Sequence, residues 1–184
     1  MKTTSRFSVA AAIREHYPEY WSRGIQSYPA DQCAPFSKVS GTWGIFSNFA
    51  ATPIEVDGIT YKNSEQLFQC QKFTDEGALQ EILGANGMTI KMKAKKWEKI
   101  CLRPDWGSMI VNAMKFAIRK KYEQCEEFRT ALKATKGLYI VEDQTSLPRK
   151  TANTWGAKLI DDTFVGPNLM GQLLMELRDL FIEF

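Results

Sequence analysis

An acid, an amide and an amine recur at Glu65, Gln69 and Lys72, within the stretch Asn63-Ser64-Glu65-Gln66-Leu67-Phe68-Gln69-Cys70-Gln71-Lys72-Phe73. At about 100° per helical residue these three side chains fall in one narrow sector, while Leu67 and Cys70 point elsewhere. Glu65 and Lys72 are then roughly 10 Å apart along the axis, a span that suits a nucleoside-sized ligand lying along the helix. The plainer alternative is a solvated polar face. Ser64 reads as the N-cap of this helix, and Glu65 as a first-turn carboxylate that the helix dipole favours in its charged form.

Other chemistries are excluded by what is missing. His16 is the single histidine, so neither a tetrahedral zinc site nor a histidine-dependent nucleophilic triad is expected. No GxxxxGK[ST] and no GxGxxG occurs, which removes a P-loop and a dinucleotide fingerprint. No metal and no cofactor is therefore expected, and the chemistry falls to Glu, Asp, Lys, Asn and aromatic side chains. Cys33, Cys70, Cys101 and Cys125 are scattered without a CxxC, which fits free thiols in a reducing compartment. With no membrane-length apolar run and no signal-peptide pattern, the expected location is the cytoplasm.

The net charge of +3 hides an asymmetry. Between Lys91 and Lys121 ten Lys/Arg stand against two acids, Glu98 and Asp105, a local net of +8. Such a run points to a polyanionic partner, nucleic acid or a pyrophosphate, or else to a lysine-rich solvated face.

The elements that must position these groups make one domain of 184 residues, mainly helical, α+β, with a small sheet of short strands. Residues 1–35 read as an N-terminal arm, irregular apart from a short helix from Ser8 to His16, packed on a body of 36–184. Asp57-Gly58 between Ile54-Glu55-Val56 and Ile59-Thr60-Tyr61 predicts a type I′ hairpin. It delivers the chain to the Ser64 helix. Asp75 and Thr89 are expected to cap the next two helices. A break at Arg103-Pro104-Asp105-Trp106 precedes a helix towards Tyr122, followed by a shorter one from Glu126 to Ala134. Leu138 to Val141 reads as a strand ending at Glu142, and 143–167 as a long polar loop. The final helix from Leu169 carries Leu173, Leu174, Leu177, Leu180 and Phe181 as a core stripe.

Polar and aromatic residues collect at the element junctions: Ser47-Asn48-Phe49, Ser64-Glu65-Gln66 with Lys72-Phe73, Arg103-x-Asp105-Trp106, Val141-Glu142, and Trp155-Gly156 with Gly166-x-Asn168. In this order and spacing, and ending in Gly166-Pro167-Asn168-Leu169-Met170-Gly171-Gln172-Leu173-Leu174-Met175-Glu176-Leu177-Arg178, the chain resembles the NADAR, or YbiA-like, family. The resemblance runs from about Phe36 to Arg178. It implies an N-glycosidase that cleaves a ribosyl C1′–N bond, either in early riboflavin-pathway intermediates or in ADP-ribose attached to guanine. It also implies that Glu65 occupies the family's central acidic position, that Trp106 is its stacking tryptophan, and that a lysine forms a Schiff base with released ribose. Many members carry an aspartate just before the Trp-Gly pair. Here that neighbourhood holds Asn153, which can hydrogen-bond but cannot act as a base.

The chemistry agrees with the resemblance. Breaking a ribosyl C–N bond passes through an oxocarbenium-like state that a nearby carboxylate stabilises, which suits Glu65. Lys38 and Lys72 are the two candidates for the imine, with Lys38 preferred and Lys72 given a ligand or ion-pair role. Trp106 and Trp155 are candidates to sandwich a base, or else core residues. Asn48 and Asn168 read ribose hydroxyls or base edges, or cap turns. Arg103 holds a phosphate or pairs with Asp105. Glu142 is a second acid or orients the ribose, Gly156 and Gly166 allow close approach of a ligand, and Arg178 buttresses the core through a salt bridge. The +8 segment puts ADP-ribosyl-guanine in nucleic acid first among substrates. A riboflavin-pathway N-riboside is second, and a non-catalytic nucleotide-binding protein is the remaining alternative.

Overall fold

A computed structural model describes residues 7–22 and 26–182. Eight helices among these residues surround a core centred on α6 (Trp106–Gln124), which packs against α1 (Val9–His16), α3 (Ser64–Cys70), α7 (Glu126–Ala134) and α8 (Leu169–Ile182). Its buried stripe, Ile110, Val111, Ala113, Met114, Ala117 and Ile118, recurs at helical spacing and meets Phe46, Phe128 and Leu174 in the main core. A smaller apolar cluster forms where α4 (Glu76–Leu83) and α5 (Met88–Cys101) close over Cys70 and Phe73. The remaining helix, α2 (Pro18–Ser22), is one short turn after α1.

Among the described residues the strands are short and fall into three small sheets. β1 (Gln26–Pro29), β7 (Thr163–Gly166) and β6 (Lys158–Ile160) form an antiparallel sheet in the order β1-β7-β6. β2 (Cys33–Phe36) runs parallel to β5 (Tyr139–Glu142), with Phe36 opposite Glu142. β3 (Ile54–Val56) and β4 (Ile59–Tyr61) form the expected hairpin. Its turn is type I′ because Asp57 and Gly58 both take positive φ, 50° and 77°.

Several expectations give way to tertiary pairing. Residues 26–36 are not irregular: they supply β1 and β2, whose partners lie more than a hundred residues away. The polar loop after Glu142 is likewise interrupted by β6 and β7. Asp75 caps α4 as expected, accepting from the Ala78 N–H at 2.9 Å. Thr89 does not cap α5; Gly87 holds that position, and the Thr89 hydroxyl bonds Asn86 instead. Leu180 is exposed rather than part of the core stripe, and Phe181 lies at the rim, stacked on Tyr122 of α6 with ring centres 4.4 Å apart. Arg178 buttresses the core mainly through carbonyls, donating to Thr135 O and Leu138 O at the α7–β5 turn, and it pairs with its neighbour Asp179. No helix among the described residues is long and apolar enough to cross a membrane.

Candidate active site

Helix α3 enters the molecule locked to the loop before it. Asn63, not Ser64, is the N-cap: its backbone is extended, and its Oδ1 accepts from the Gln66 N–H at 2.9 Å. That leaves the Ser64 hydroxyl to donate to Asn48 Oδ1 at 2.8 Å. The Glu65 N–H donates to Asn48 O at 2.9 Å, so the residue before Phe49 sets the position of Glu65. The loop is held from below by Lys121, whose ammonium donates to Ile45 O at 2.6 Å and Ser47 O at 2.9 Å. Sequence reading placed Lys121 in the basic run; it is fully buried, and burial pushes it down to about 7.

The Glu65 face of α3 is not solvated. Glu65 and Gln69 are each 4% exposed. The Gln69 amide donates to Glu65 Oε1 at 2.7 Å. The Lys91 ammonium stands 3.8 Å from the same oxygen and 5.2 Å from the centre of the Phe49 ring. Glu142 completes the group from the end of β5. Its N–H is held by Asn168 Oδ1 at 3.0 Å, and its carbonyl accepts from Ala157 N at 2.9 Å. Burial raises the Glu142 carboxyl to about 7, Lys91 pulls it down, Glu65 pushes it up, and a hydrogen bond with Gln144 lowers it. Two carboxyl groups that feel each other's charge and that of Lys91 make the chemical centre of the candidate site. Sequence reading placed Lys91 only in the basic run; its signal was its place on α5, one turn after a glycine cap, which only the α3–α5 packing brings to Glu65.

The other expected residues divide differently. Lys72 lies just past α3 and pairs with Glu98 at 2.6 Å, its ammonium near the Phe68 and Trp106 rings, so it joins the edge of the site rather than Glu65. Trp106 is a correction. At 1% exposure it has no free face for a base. The space between Trp106 and Trp155 is filled by Phe68, with ring centres 5.4 and 5.9 Å away. Trp155 is only partly buried. Lys38 is exposed in the turn after β2, which leaves the sheet at the Glu142 end, and its ammonium has no ion pair among the described residues.

Asn48 and Asn168 are corrections as readers of substrate. The Asn48 oxygens serve α3, as described, and its amide faces the Met114 and Met170 sulfurs. Asn168 is fully buried at φ 49°, spent on Glu142 N and Ile140 O. Ser47 is buried, its hydroxyl accepting from Phe49 N. Gly156 and Gly166 give room to protein and not to ligand: a Cβ on Gly156 would stand 2.4 Å from Glu142 O, and one on Gly166 2.6 Å from Gly156 O. Arg103 holds Asp105 with two bonds, 2.6 and 2.8 Å, the plainer of its two readings. Asn153 organises its own loop, its Oδ1 accepting from Gln144 and from Trp155 N. Among the described residues no group of His, Cys, Asp and Glu side chains is placed to hold a metal ion.

The basic run also changes meaning. Lys93 and Lys96 pair with Glu81, Lys115 with Glu176, and Arg119 and Lys120 with Glu123. Lys91 and Arg103 also face acids and Lys121 is spent on backbone carbonyls, so of the run only Lys95 and Lys99 have neither an acidic partner nor a hydrogen bond from the ammonium among the described residues.

Comparison with known proteins agrees with this architecture. The chain is 38% identical over 157 residues to the N-glycosidase YbiA of Escherichia coli (strain K12), covering 84% of this chain and 92% of that protein. The match to the Shigella flexneri N-glycosidase YbiA has the same identity and coverage. A riboflavin biosynthesis protein of Vibrio vulnificus (strain YJ016) is 26% identical over 159 residues, which span 84% of this chain and 40% of that protein. The NMR structure of Escherichia coli YbiA superposes with a TM-score of 0.67, covering 83% of this chain and 87% of that one. The NADAR domain model matches residues 35–181, and the chain belongs to the NADAR family.

Proposed function

We propose that this protein is an N-glycosidase that hydrolyses a ribosyl C1′–N bond, with Glu65 and Glu142 as its two working carboxyl groups. The observation that carries the reading is the buried Glu65–Gln69 pair, with the Lys91 ammonium beside it and the raised Glu142 carboxyl within reach of both charges. Glu65 stabilises the positive charge that develops at C1′ as the bond breaks. The bonding electrons leave with the nitrogen, which takes the Glu142 proton. Water adds to C1′, and the proton it loses returns to Glu142. Splitting the two carboxyls into a charged stabiliser and a protonated donor is the arrangement glycosyl transfer needs.

The ion pairs across the basic run remove the argument that put nucleic acid first. A small phosphorylated N-riboside, of the kind met early in riboflavin synthesis, is therefore the leading substrate. The name of the Vibrio relative supports it. ADP-ribosyl-guanine in nucleic acid is the second reading, favoured by the unpaired row of Lys95 and Lys99 that continues along α5 from Lys91. Lys91 joins Lys38 and Lys72 as a candidate imine-forming amine, since it alone approaches Glu65.

The test is base release from both substrates, with borohydride in a parallel sample. Glu65→Gln should lower kcat by about a hundredfold or more while leaving Kd within a few-fold, as expected of a group acting on the transition state. Loss of affinity in step with turnover would assign Glu65 to ground-state binding. A borohydride adduct mapped to Lys91, Lys38 or Lys72 chooses the amine; release without an adduct discards the imine.

A further inference from the structure

We infer that Gln69 recognises the sugar: its Oε1 accepts a hydrogen bond from a ribose hydroxyl of the bound riboside, beside the free oxygen of Glu65. The inference rests on the glycosidase reading for its ligand class, and on geometry for the rest.

The orientation of the amide is determined by its neighbour. Gln69 Nε2 lies 2.7 Å from Glu65 Oε1, and a carboxylate only accepts. Turning the amide over would set two acceptors against each other, so Oε1 must face away from Glu65. There it is fully buried and receives no hydrogen bond among the described residues. A buried carbonyl oxygen left without a donor is costly, and native structures rarely keep one that nothing ever completes.

Gln66, on the same helix, shows what a purely structural glutamine looks like here. It is just as buried, but its Oε1 accepts from Lys62 N at 2.8 Å and its amide donates to Ile82 O at 2.9 Å and Leu83 O at 3.1 Å. Both ends are used. Gln69 uses only the end that holds Glu65, and Glu65 Oε2 likewise has no hydrogen bond among the described residues.

Two open acceptors one helical turn apart select a ligand that presents donors. In an N-riboside the donors next to the scissile C1′–N bond are the 2′- and 3′-hydroxyls. An ammonium ligand is disfavoured, because Lys91 already places a positive charge at this point.

The test uses a carbon-linked riboside 5′-phosphate, which cannot be cleaved, and its 2′-deoxy and 3′-deoxy forms. Calorimetry on the wild-type protein should show one deoxy form binding about tenfold or more weakly than the parent. In Gln69→Leu that ratio should fall to about one, while the other deoxy form keeps its wild-type ratio. Gln69→Asn, which keeps the amide but draws its oxygen back, should behave as Gln69→Leu does, and it serves if the leucine variant does not fold. No discrimination by the wild-type protein, no binding of the parent riboside, or an unchanged ratio in both variants overturns the inference. Absence of N-riboside turnover together with a ratio that collapses in the variants would instead overturn the hydrolase and leave the recognition standing.

Discussion

Glu142 carries a proton at a pH where an exposed glutamate has lost it, because burial outweighs the attraction of Lys91. If it is the proton donor, kcat should fall as pH rises through about 7, and Glu142→Gln should flatten that limb while lowering its plateau. A pH–rate profile of both proteins decides it; a wild-type rate that is level from pH 6 to 8 would remove Glu142 from the donor role. The stability sign is opposite to that of a paired carboxylate. The folded state holds the Glu142 proton up to about 7 and the unfolded chain releases it near 4.5, so this group costs stability as pH rises through that window. At this scale the residue types were legible and the environments were not. Glu65, Gln69 and Glu142 were readable as candidates from their positions at element junctions. Trp106 was left as a stacking surface or a core residue because an indole's type does not reveal whether its faces are covered, and burial makes it core.

Helix α3 depends on its cap. Asn63→Ala should destabilise the protein by about 1 kcal/mol through loss of the bond to the Gln66 N–H. Ser64→Ala should leave the cap intact and act instead on the tie to Asn48. Chemical denaturation of the two variants separates these effects: equal losses would mean that the cap is shared. Hydrophobic periodicity was enough to locate α4 to α8, since each turns an apolar stripe inward, whereas α3, buried on every side, was legible from its capping residues and polar spacing. It was not enough to locate β1, β2, β6 and β7. These strands have three or four residues each, too few for a period of two to stand out, and their pairing partners are distant in the chain.

For the molecule as a whole, Lys121 is the tie between the α6 core and the loop that carries the site. Its ammonium gives two bonds to the carbonyls of Ile45 and Ser47 and lies 4.8 Å from the Phe128 ring. Burial lowers it from an ordinary 10.5 to about 7. Above pH 7 the unfolded chain therefore holds this proton more tightly than the folded one, so Lys121 makes stability rise with pH, and below 7 its penalty is present in full. Between pH 7 and 9 the unfolding free energy of the wild-type protein should climb relative to that of Lys121→Met. Parallel pH dependences for the two would show that Lys121 titrates normally. The same residue shows why a charge count misleads: of the run that sums to +8, Lys121 is core, Lys91, Lys93, Lys96 and Lys115 face acids from other elements, and Arg103, Arg119 and Lys120 pair with acids close by in the chain.

Periodicity, capping residues and turn chemistry are local, so the chain's order of residues was sufficient to specify every helix but the short α2, the type I′ hairpin and the polar face of α3. The motif string was sufficient to indicate the family. Burial, charge pairing and the meeting of Glu65 with Lys91 and Glu142 come from segments 26 to 77 residues apart closing on one another. Dielectric environment and through-space distance arise only from that closure, and they turn a polar helix face into a candidate active site.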